Sequence, residues 1–209
     1  ALPRPNLASE ERELLKAFRQ YGTPLRVRTD NGPPFGGSGP LGLSYLSVQL
    51  ARRGIEPEHI DPGCPGQNGT HERMHRDLDE EAAQPAAKTP RCQHRSLNAW
   101  RQIYNYERPH EGIGLATPAS LYQKSPRKLR RARSPIYPDH VAVRVVKHKG
   151  DFSWKSTKVF VGGAFRGEPV GLEEIDEGVW VVSYAAWTLG VLKEDHLEGQ
   201  SWVNLADCF

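Results

Sequence analysis

Residues 25–32 read LRVRTDNG and decide the first structural assignment. Apolar and basic side chains alternate as far as Thr29, which is the period-two pattern of a short strand. The Asn31-Gly32 pair that follows is a strong turn signal. Asp30 therefore stands at the carboxyl end of a strand, where open α/β sheets place their binding sites.

Apolar residues at helical spacing predict four helices around this strand. Their apolar faces are Leu14/Phe18/Tyr21, Leu43/Leu46/Leu50, Met74/Leu78/Ala82 and Leu97/Trp100/Tyr104. The first helix is predicted to begin at Ser9 and end at Gly22, and the fourth to begin at Ser96 after a loop over 85–95. The extended stretch 55–60 contains Pro57, which lacks an N–H and is expected at a sheet edge. Alternating strands and helices favour an α/β layer architecture.

The composition and the predicted secondary structure of the chain change after residue 123. Residues 124–135 read KSPRKLRRARSP, with six basic residues and no acid, and are predicted to be an exposed linker. Five short β-type runs punctuated by glycines follow, over 141–146, 157–161, 170–175, 179–184 and 187–192. Their spacing predicts a small all-β barrel. The expected organisation is a core over 1–123, a basic linker over 124–138 and a barrel domain over 139–209.

Composition narrows the function classes. The 209 residues are 37% hydrophobic with no long apolar run, which excludes a transmembrane helix. Three widely spaced cysteines exclude a disulfide framework and, with no secretory leader visible, favour a reducing compartment, the cytoplasm. The net charge of +3 divides into 21 basic against 14 acidic residues over 1–138 (+7) and 7 against 11 over the remainder (−4). A basic front half predicts a polyanionic partner.

Two carboxylates are the candidate catalytic pair. Asp30 ends the predicted strand, and Glu72 lies in the first turn of the third helix, from which it can face the same end of the sheet. Carboxylate oxygens are the ligands that Mg²⁺ prefers, and such sites promote phosphodiester displacement. The alternative for these residues is structural: Asp30 caps a turn, and Glu72 pairs with Arg76 one helical turn later.

Four stretches, taken together and in this order, resemble the integrase core of bacterial insertion-sequence transposases and retroviral-type integrases. They are residues 28–35 (RTDNGPPF), 65–76 (PGQNGTHERMHR), 104–110 (YNYERPH) and 117–118 (TP). The resemblance covers roughly residues 10–125. It implies a ribonuclease-H-like α/β fold and an acidic triad that binds Mg²⁺ or Mn²⁺, with Asp30 matching the second acid and Glu72 the third. Residues 139–207 resemble the SH3-like barrel that follows the core in some of these transposases.

The resemblance departs from the family pattern at the first acid of the triad. In the family that aspartate lies on the first strand, ahead of a β-hairpin and a helix. Three strands of about five residues with their turns do not fit before Ser9. We therefore expect the first catalytic acid to be absent and this chain to be the C-terminal part of a transposase. Alone it should be inactive, and it should self-associate or need a chain supplying the N-terminal half.

DNA, as transposon ends and target, is the partner that the resemblance implies. The candidate DNA-binding residues are Asn68, Arg73, Arg76, Lys124, Arg127, Lys128, Arg130, Arg131 and Arg133. A dense basic stretch gains free energy from counterion release on DNA, although a flexible linker with incidental charge explains it equally well. Arg52 and Arg53 could also bind phosphate or be solvated surface cations. The second function hypothesis is a non-catalytic DNA-binding or assembly module that uses the linker and the barrel.

Residues 71–75 also read H-E-x-x-H, the pattern of zinc metalloproteases in which the glutamate is the general base. We reject that function because no third ligand is signalled and because the flanking stretches resemble integrases. Short motifs of this length also recur by chance. His71 and His75 are expected beside a nucleic-acid groove or in solvent.

Overall fold

The computed structural model describes residues 7–37, 40–61 and 65–207. Helices are α1 (Leu7–Tyr21), α2 (Tyr45–Ala51), α3 (Gly69–Leu78), α4 (Pro90–Gln102), α5 (Pro118–Leu121) and α6 (Glu194–Leu197). Strands are β1 (Arg26–Thr29), β2 (Glu56–His59), β3 (Ala142–Val145), β4 (Asp151–Trp154), β5 (Thr157–Phe160), β6 (Pro169–Asp176), β7 (Val179–Tyr184), β8 (Trp187–Lys193) and β9 (Trp202–Asn204). No helix of the described part is long and apolar enough to cross a membrane.

The chain forms two compact units. The first unit joins Ala1–His59 to Arg127–Phe209, and the second unit is Ile60–Pro126. These units divide the chain at other points than the predicted segments 1–123, 124–138 and 139–209, which stay a prediction. A mixed α/β front part followed by an all-β rear part agrees with the predicted fold class.

The front of the first unit is a β–α–β arrangement. Strands β1 and β2 pair in parallel, with Val27 opposite Pro57, and among the described residues neither has another strand partner. Pro57 therefore lies in an edge strand, as predicted. The connecting helix α2 begins after Ser44, whose side chain accepts a hydrogen bond from the Ser47 N–H at 3.2 Å, a standard N-cap.

The rear of the first unit contains two sheets, ordered β3-β6-β7-β8 and β4-β5-β9. The predicted strands are present, but β4 and β9 were not predicted. Side chains of both sheets and of the turn before β6 form one buried cluster that includes Phe152, Trp154, Phe165 and Tyr184. Leu43 and Val48 of the front part belong to the same cluster. The core of the first unit is therefore shared between segments far apart in the chain, and an SH3-like barrel stays a prediction.

The second unit consists mainly of helices. Helix α3 continues into a π-helical turn over Asp79–Ala83, and α4 into another over Ile103–Glu107. The prediction that α4 begins at Ser96 after a loop over 85–95 was wrong, because the helix already begins at Pro90. Thr89 is its N-cap and accepts a hydrogen bond from the Cys92 N–H at 3.2 Å, and a proline at the first helical position loses no bond.

The basic segment 127–138 has no helix or strand, yet its backbone is held in place within the first unit. The Thr23 N–H donates to the Arg127 carbonyl at 3.4 Å, and the Arg133 N–H donates to the Arg52 carbonyl at 2.9 Å. The Tyr137 hydroxyl lies 3.1 Å from the Pro169 carbonyl oxygen. This part of the chain is therefore docked at several points and does not behave as a free spacer.

Candidate functional site

Asp30 follows β1 directly and is exposed. One of its carboxylate oxygens accepts a hydrogen bond from the Gly32 N–H at 3.2 Å. The ring nitrogen Nδ1 of His59, the last residue of β2, lies 3.4 Å from the Asp30 carbonyl oxygen. The turn-capping alternative is thus observed, but it engages one carboxylate oxygen and leaves the residue at the carboxyl end of a parallel pair, as predicted.

Glu72 lies in the first turn of α3 and is exposed. The ion pair with Arg76 that would explain this residue structurally is not formed. A negatively charged side chain in the first turn interacts favourably with the positive end of the helix dipole. Within the described residues Glu72 is therefore available to a ligand.

A complete metal site is not assembled by the part of the chain that the structure describes. Asp30 belongs to the first unit and Glu72 to the second. Among described residues, no group of three or more His, Cys, Asp and Glu side chains is arranged to hold a metal ion. The prediction that Asp30 and Glu72 share a metal stays a prediction.

The YNYERPH stretch forms a polar network in the second unit. Arg108 donates to the Glu81 carboxylate at 2.5 Å and lies 3.7 Å from Asp77. The Trp100 indole N–H donates to the same Glu81 oxygen at 2.8 Å. The Arg108 guanidinium also lies 5.6 Å from the centre of the Tyr104 ring. Because Asp77 is on α3, Arg108 connects the helix that carries Glu72 to the end of α4.

The π-helical turn over Ile103–Glu107 places Arg108 where it makes these contacts. The Arg108 N–H donates to the Ile103 carbonyl at 2.8 Å, five residues earlier, so the helix ends with one extra residue in its last turn. Pro109 follows and cannot continue the helix. The sequence signal for this arrangement is therefore the Arg-Pro step, although the partners of Arg108 are not local.

Acid should weaken the Arg108–Glu81 contact. The hydrogen bond from Arg108 lowers the pKa of Glu81 below its ordinary value, and the same bond raises the pKa of Arg108. A group whose pKa is lowered by folding adds stability above its unfolded pKa, and that stability is lost as the pH falls through the folded value. We expect Arg108→Met to reduce the acid dependence of melting of the second unit, followed by circular dichroism between pH 3 and 7. Arg91→Met, at an exposed position on α4, is the matched control, and equal profiles for both variants would contradict the role of Arg108.

A cavity of about 780 Å³ opens beside this network in the second unit. Arg73, Tyr104, His110 and Tyr122 are among the residues that line it. Arg73 is thus the predicted DNA-binding residue of α3 that faces a cavity, whereas Arg76 is exposed on the same helix. Asn68 ends the 3-10 turn Pro65–Asn68, and its side chain lies outside the described part.

The residues of the predicted basic linker are divided between the two units. Lys124 belongs to the second unit, and Lys128 is exposed in the first. Arg127 contacts protein, because its guanidinium donates to the carbonyl oxygens of Pro24 and Gly54. We therefore assign Arg127 to holding the segment in place.

Arg130, Arg131 and Arg133 line a second cavity, of about 460 Å³, together with Arg52, Arg53 and Gly54. The sequence signal for Arg52 and Arg53 is a basic pair at the end of a helix, just before a glycine. That signal says nothing of the three downstream arginines, which come close only because the segment docks on this helix end.

Comparison with known proteins finds a family model that matches the middle of the chain. Residues 53–118, which contain Glu72, match the family model of the integrase core domain. The chain is 35% identical over 105 residues to an uncharacterized 39.2 kDa protein of insertion element IS476 from Xanthomonas euvesicatoria, covering 50% of this chain and 28% of that protein. It is 31% identical over 114 residues to an uncharacterized 31.7 kDa protein of insertion element IS407 from Burkholderia multivorans, covering 54% and 39%. The matches thus span less than half of these relatives.

Solved structures that resemble this chain include a viral intasome. In the cryo-EM structure of the simian T-cell lymphotropic virus intasome with the PP2A regulatory subunit B56 gamma, one chain superimposes with a TM-score of 0.44 at 15% identity. The superposition covers 91% of this chain and 65% of that one. Similarity at this level adds nothing to the fold assignment, which follows from the family match and the α/β arrangement.

Proposed function

We propose that this chain is part of an insertion-sequence transposase that cleaves and joins DNA strands, because residues 53–118 match the family model of the integrase core domain. The observation that carries the proposal is Glu72, which lies within the matched residues, on the first turn of a helix, exposed and without an ion-pair partner among described residues. Its place of action would be the nucleoid in the cytoplasm. The relatives are longer than the matched part, so we propose the activity for a whole protein of that kind and not for this chain alone.

Asp30 and Glu72 have the chemistry that a divalent cation requires. Both are exposed carboxylates, and one Asp30 oxygen stays outside the hydrogen bond with Gly32. Hard oxygen donors fit Mg²⁺ or Mn²⁺. When bound, the cation would activate the attacking oxygen and stabilise the leaving one. These residues would hold the ion and orient the phosphodiester, and no group of three such ligands is formed among the described residues.

The edge of β1 supports completion of the core by another segment. β1 pairs only with β2 among the described residues, and Leu25, just before it, is 70% exposed. An unpaired strand edge beside exposed apolar surface recruits a further strand. We propose that an N-terminal strand of the family's core pairs at this edge, and that a second copy of the chain pairs here when that strand is not supplied.

Glu72→Gln is the test of the catalytic proposal. Purified chain is mixed with the N-terminal half of the core, and nicking of a supercoiled plasmid carrying the element ends is followed in Mg²⁺. We expect nicking only in the mixture, and its reduction by at least about 100-fold in Glu72→Gln, because loss of a ligand carboxylate removes transition-state charge stabilisation worth several kcal/mol. Glu80→Gln, at an exposed glutamate of the same unit, is the matched control.

The outcomes of this test separate the two candidate functions. Nicking that is unaffected by Glu72→Gln contradicts the role of that residue. A mixture that binds DNA but never nicks it, in Mg²⁺ or Mn²⁺, favours the second function, a non-catalytic DNA-binding or assembly module. The observation that favours this second function is the cavity lined by arginines in the first unit.

A further inference from the structure

The cavity in the first unit brings together basic residues from two distant parts of the chain. Arg52 and Arg53 follow α2, and Arg130, Arg131 and Arg133 come from the docked segment. Gly54 also lines the cavity and has a φ of 73°, a left-handed conformation that favours glycine. A Cβ built there would lie 3.7 Å from Nη2 of Arg127 and 3.9 Å from Nη1 of Arg130, so both guanidinium groups lie beside this glycine.

Two of the five arginines are neutralised by acidic partners. Arg52 lies 3.1 Å from the Glu168 carboxylate, and Arg53 lies 2.8 Å from the Glu11 carboxylate. Arg53 also donates to the Gln49 carbonyl at 2.7 Å, near the end of α2. These two side chains are therefore fixed in place, and they form the wall of the cavity without adding much net charge.

The other three arginines carry the net charge of the cavity. Arg130, Arg131 and Arg133 are exposed, and within the described residues none of them has an acidic partner. Three like charges held around one concave surface repel one another unless an anion lies between them. Their backbone is held by the contacts of Arg127 and Arg133 with the front part, so little chain entropy is lost when an anion binds.

We propose that Arg130, Arg131 and Arg133, over the cavity wall of Arg52 and Arg53, bind neighbouring phosphate groups of the DNA backbone, about one phosphate for each arginine. Guanidinium groups present forked N–H donors that match phosphate oxygens, and a concave cluster holds one phosphate and its neighbours in the strand. The proposal depends on the proposed function only for naming DNA as the source of the phosphate. It assigns the DNA contacts of the cavity to three residues of the basic segment and excludes Arg127, whose guanidinium donates to protein carbonyls.

The salt dependence of DNA binding tests the site. The full chain is titrated with a 30-bp duplex at five salt concentrations, and the slope of log affinity against log salt is compared between variants. The triple variant Arg130→Gln, Arg131→Gln, Arg133→Gln should flatten the slope by about three units, since each neutralised phosphate contact contributes about 0.9. The control triple variant Lys149→Gln, Lys158→Gln, Arg166→Gln removes the same charge from exposed positions outside the cavity and should flatten it by less than about one unit.

Equal flattening by the two triple variants would overturn the proposal, because net charge alone would then explain binding. An unchanged slope in the arginine variant would also overturn it. Where that variant melts abnormally, the triple Arg→Lys variant replaces it. This variant keeps the charge, so it should keep the salt slope and lose the part of the affinity that comes from forked donors. Unchanged affinity would count against the site.

Competition with inorganic phosphate at constant ionic strength distinguishes a site for the DNA backbone from a site for free phosphate. Displacement of DNA only at tens of millimolar phosphate supports the DNA backbone as the ligand. Saturation of the arginines by phosphate without any effect on DNA binding refutes it. These readouts do not involve cleavage, so they stand or fall apart from the Glu72 test.

Discussion

Arg52→Met should destabilise the first unit by about 2–4 kcal/mol, the largest effect we expect from a single substitution on the surface of the cavity. Arg52 pairs at 3.1 Å with Glu168, whose side chain is only 7% exposed. The second Glu168 oxygen accepts a hydrogen bond from the Tyr184 hydroxyl at 2.9 Å. Removal of the guanidinium leaves a buried carboxylate whose charge no cation balances, which costs far more than a surface ion pair is worth. We expect a loss of stability toward the lower end of this range because the Arg52 side chain is about a quarter exposed.

The Tyr184 hydroxyl should keep its proton as the pH rises. Burial, together with the bond to Glu168, raises the pKa of Tyr184 far above its ordinary value. The hydroxyl therefore stays protonated and donates throughout the accessible range.

Urea unfolding, followed by tryptophan fluorescence, measures the effect of Arg52→Met. The informative control is the double variant Arg52→Met, Glu168→Leu, in which both charges are replaced by apolar groups. It should recover most of the lost stability, since buried ion pairs replaced by well-packed apolar residues are often neutral. If the single and double variants are equally unstable, the penalty comes from packing around Arg52 and not from the unpaired charge.

Gly171→Ala should cost about 1–3 kcal/mol, although it adds a single methyl group. A Cβ at this position of β6 would lie 2.5 Å from Cε1 of Tyr137 and 2.9 Å from Cγ1 of Val141. The Tyr137 ring cannot move easily, because its hydroxyl donates toward the carbonyls of Pro169 and Ser183, each at 3.1 Å. The added methyl must therefore displace the tyrosine that anchors the end of the basic segment.

Gly163→Ala is the matched control for Gly171→Ala. A Cβ at Gly163 meets only the tip of Arg166, at 4.0 Å, so stability should change by less than about 0.5 kcal/mol. Thermal melts of both variants, together with the salt slope of DNA binding, test the expectation. Loss of stability in Gly171→Ala with normal Tyr137 packing, seen in side-chain NMR shifts, would show that strand β6 itself is strained and that the segment is not displaced.

Local sequence patterns determined the elements around Asp30. The alternation up to Thr29 predicts β1, and the Asn31-Gly32 pair predicts the turn in which Gly32 donates to Asp30. Leu46 and Leu50 at helical spacing predict α2, and the motifs that resemble integrases place Glu72 near the start of a helix. These features depend on neighbours within a few residues, so they can be predicted from the local sequence.

Some elements were missed although their signals are local. Thr89-Pro90 is a standard helix start, yet the polar composition of 85–95 suggested a loop. Strand β9 is different, because it has three residues and pairs in parallel with β5, more than forty residues earlier. A run that short has no period to detect, and its pairing depends on the fold.

Only the tertiary structure decided which basic residues are free. Composition shows six cations over residues 124–135, but Arg127 donates to carbonyls 103 and 73 residues away and holds the segment in place. Arg52 is paired with Glu168, and Arg130, Arg131 and Arg133 are left without acids among the described residues. The number of charges is a property of the sequence, whereas their partners depend on which distant segments meet. Hydrogen bonds require direct contact, and charges in salt solution are screened beyond about 8–10 Å.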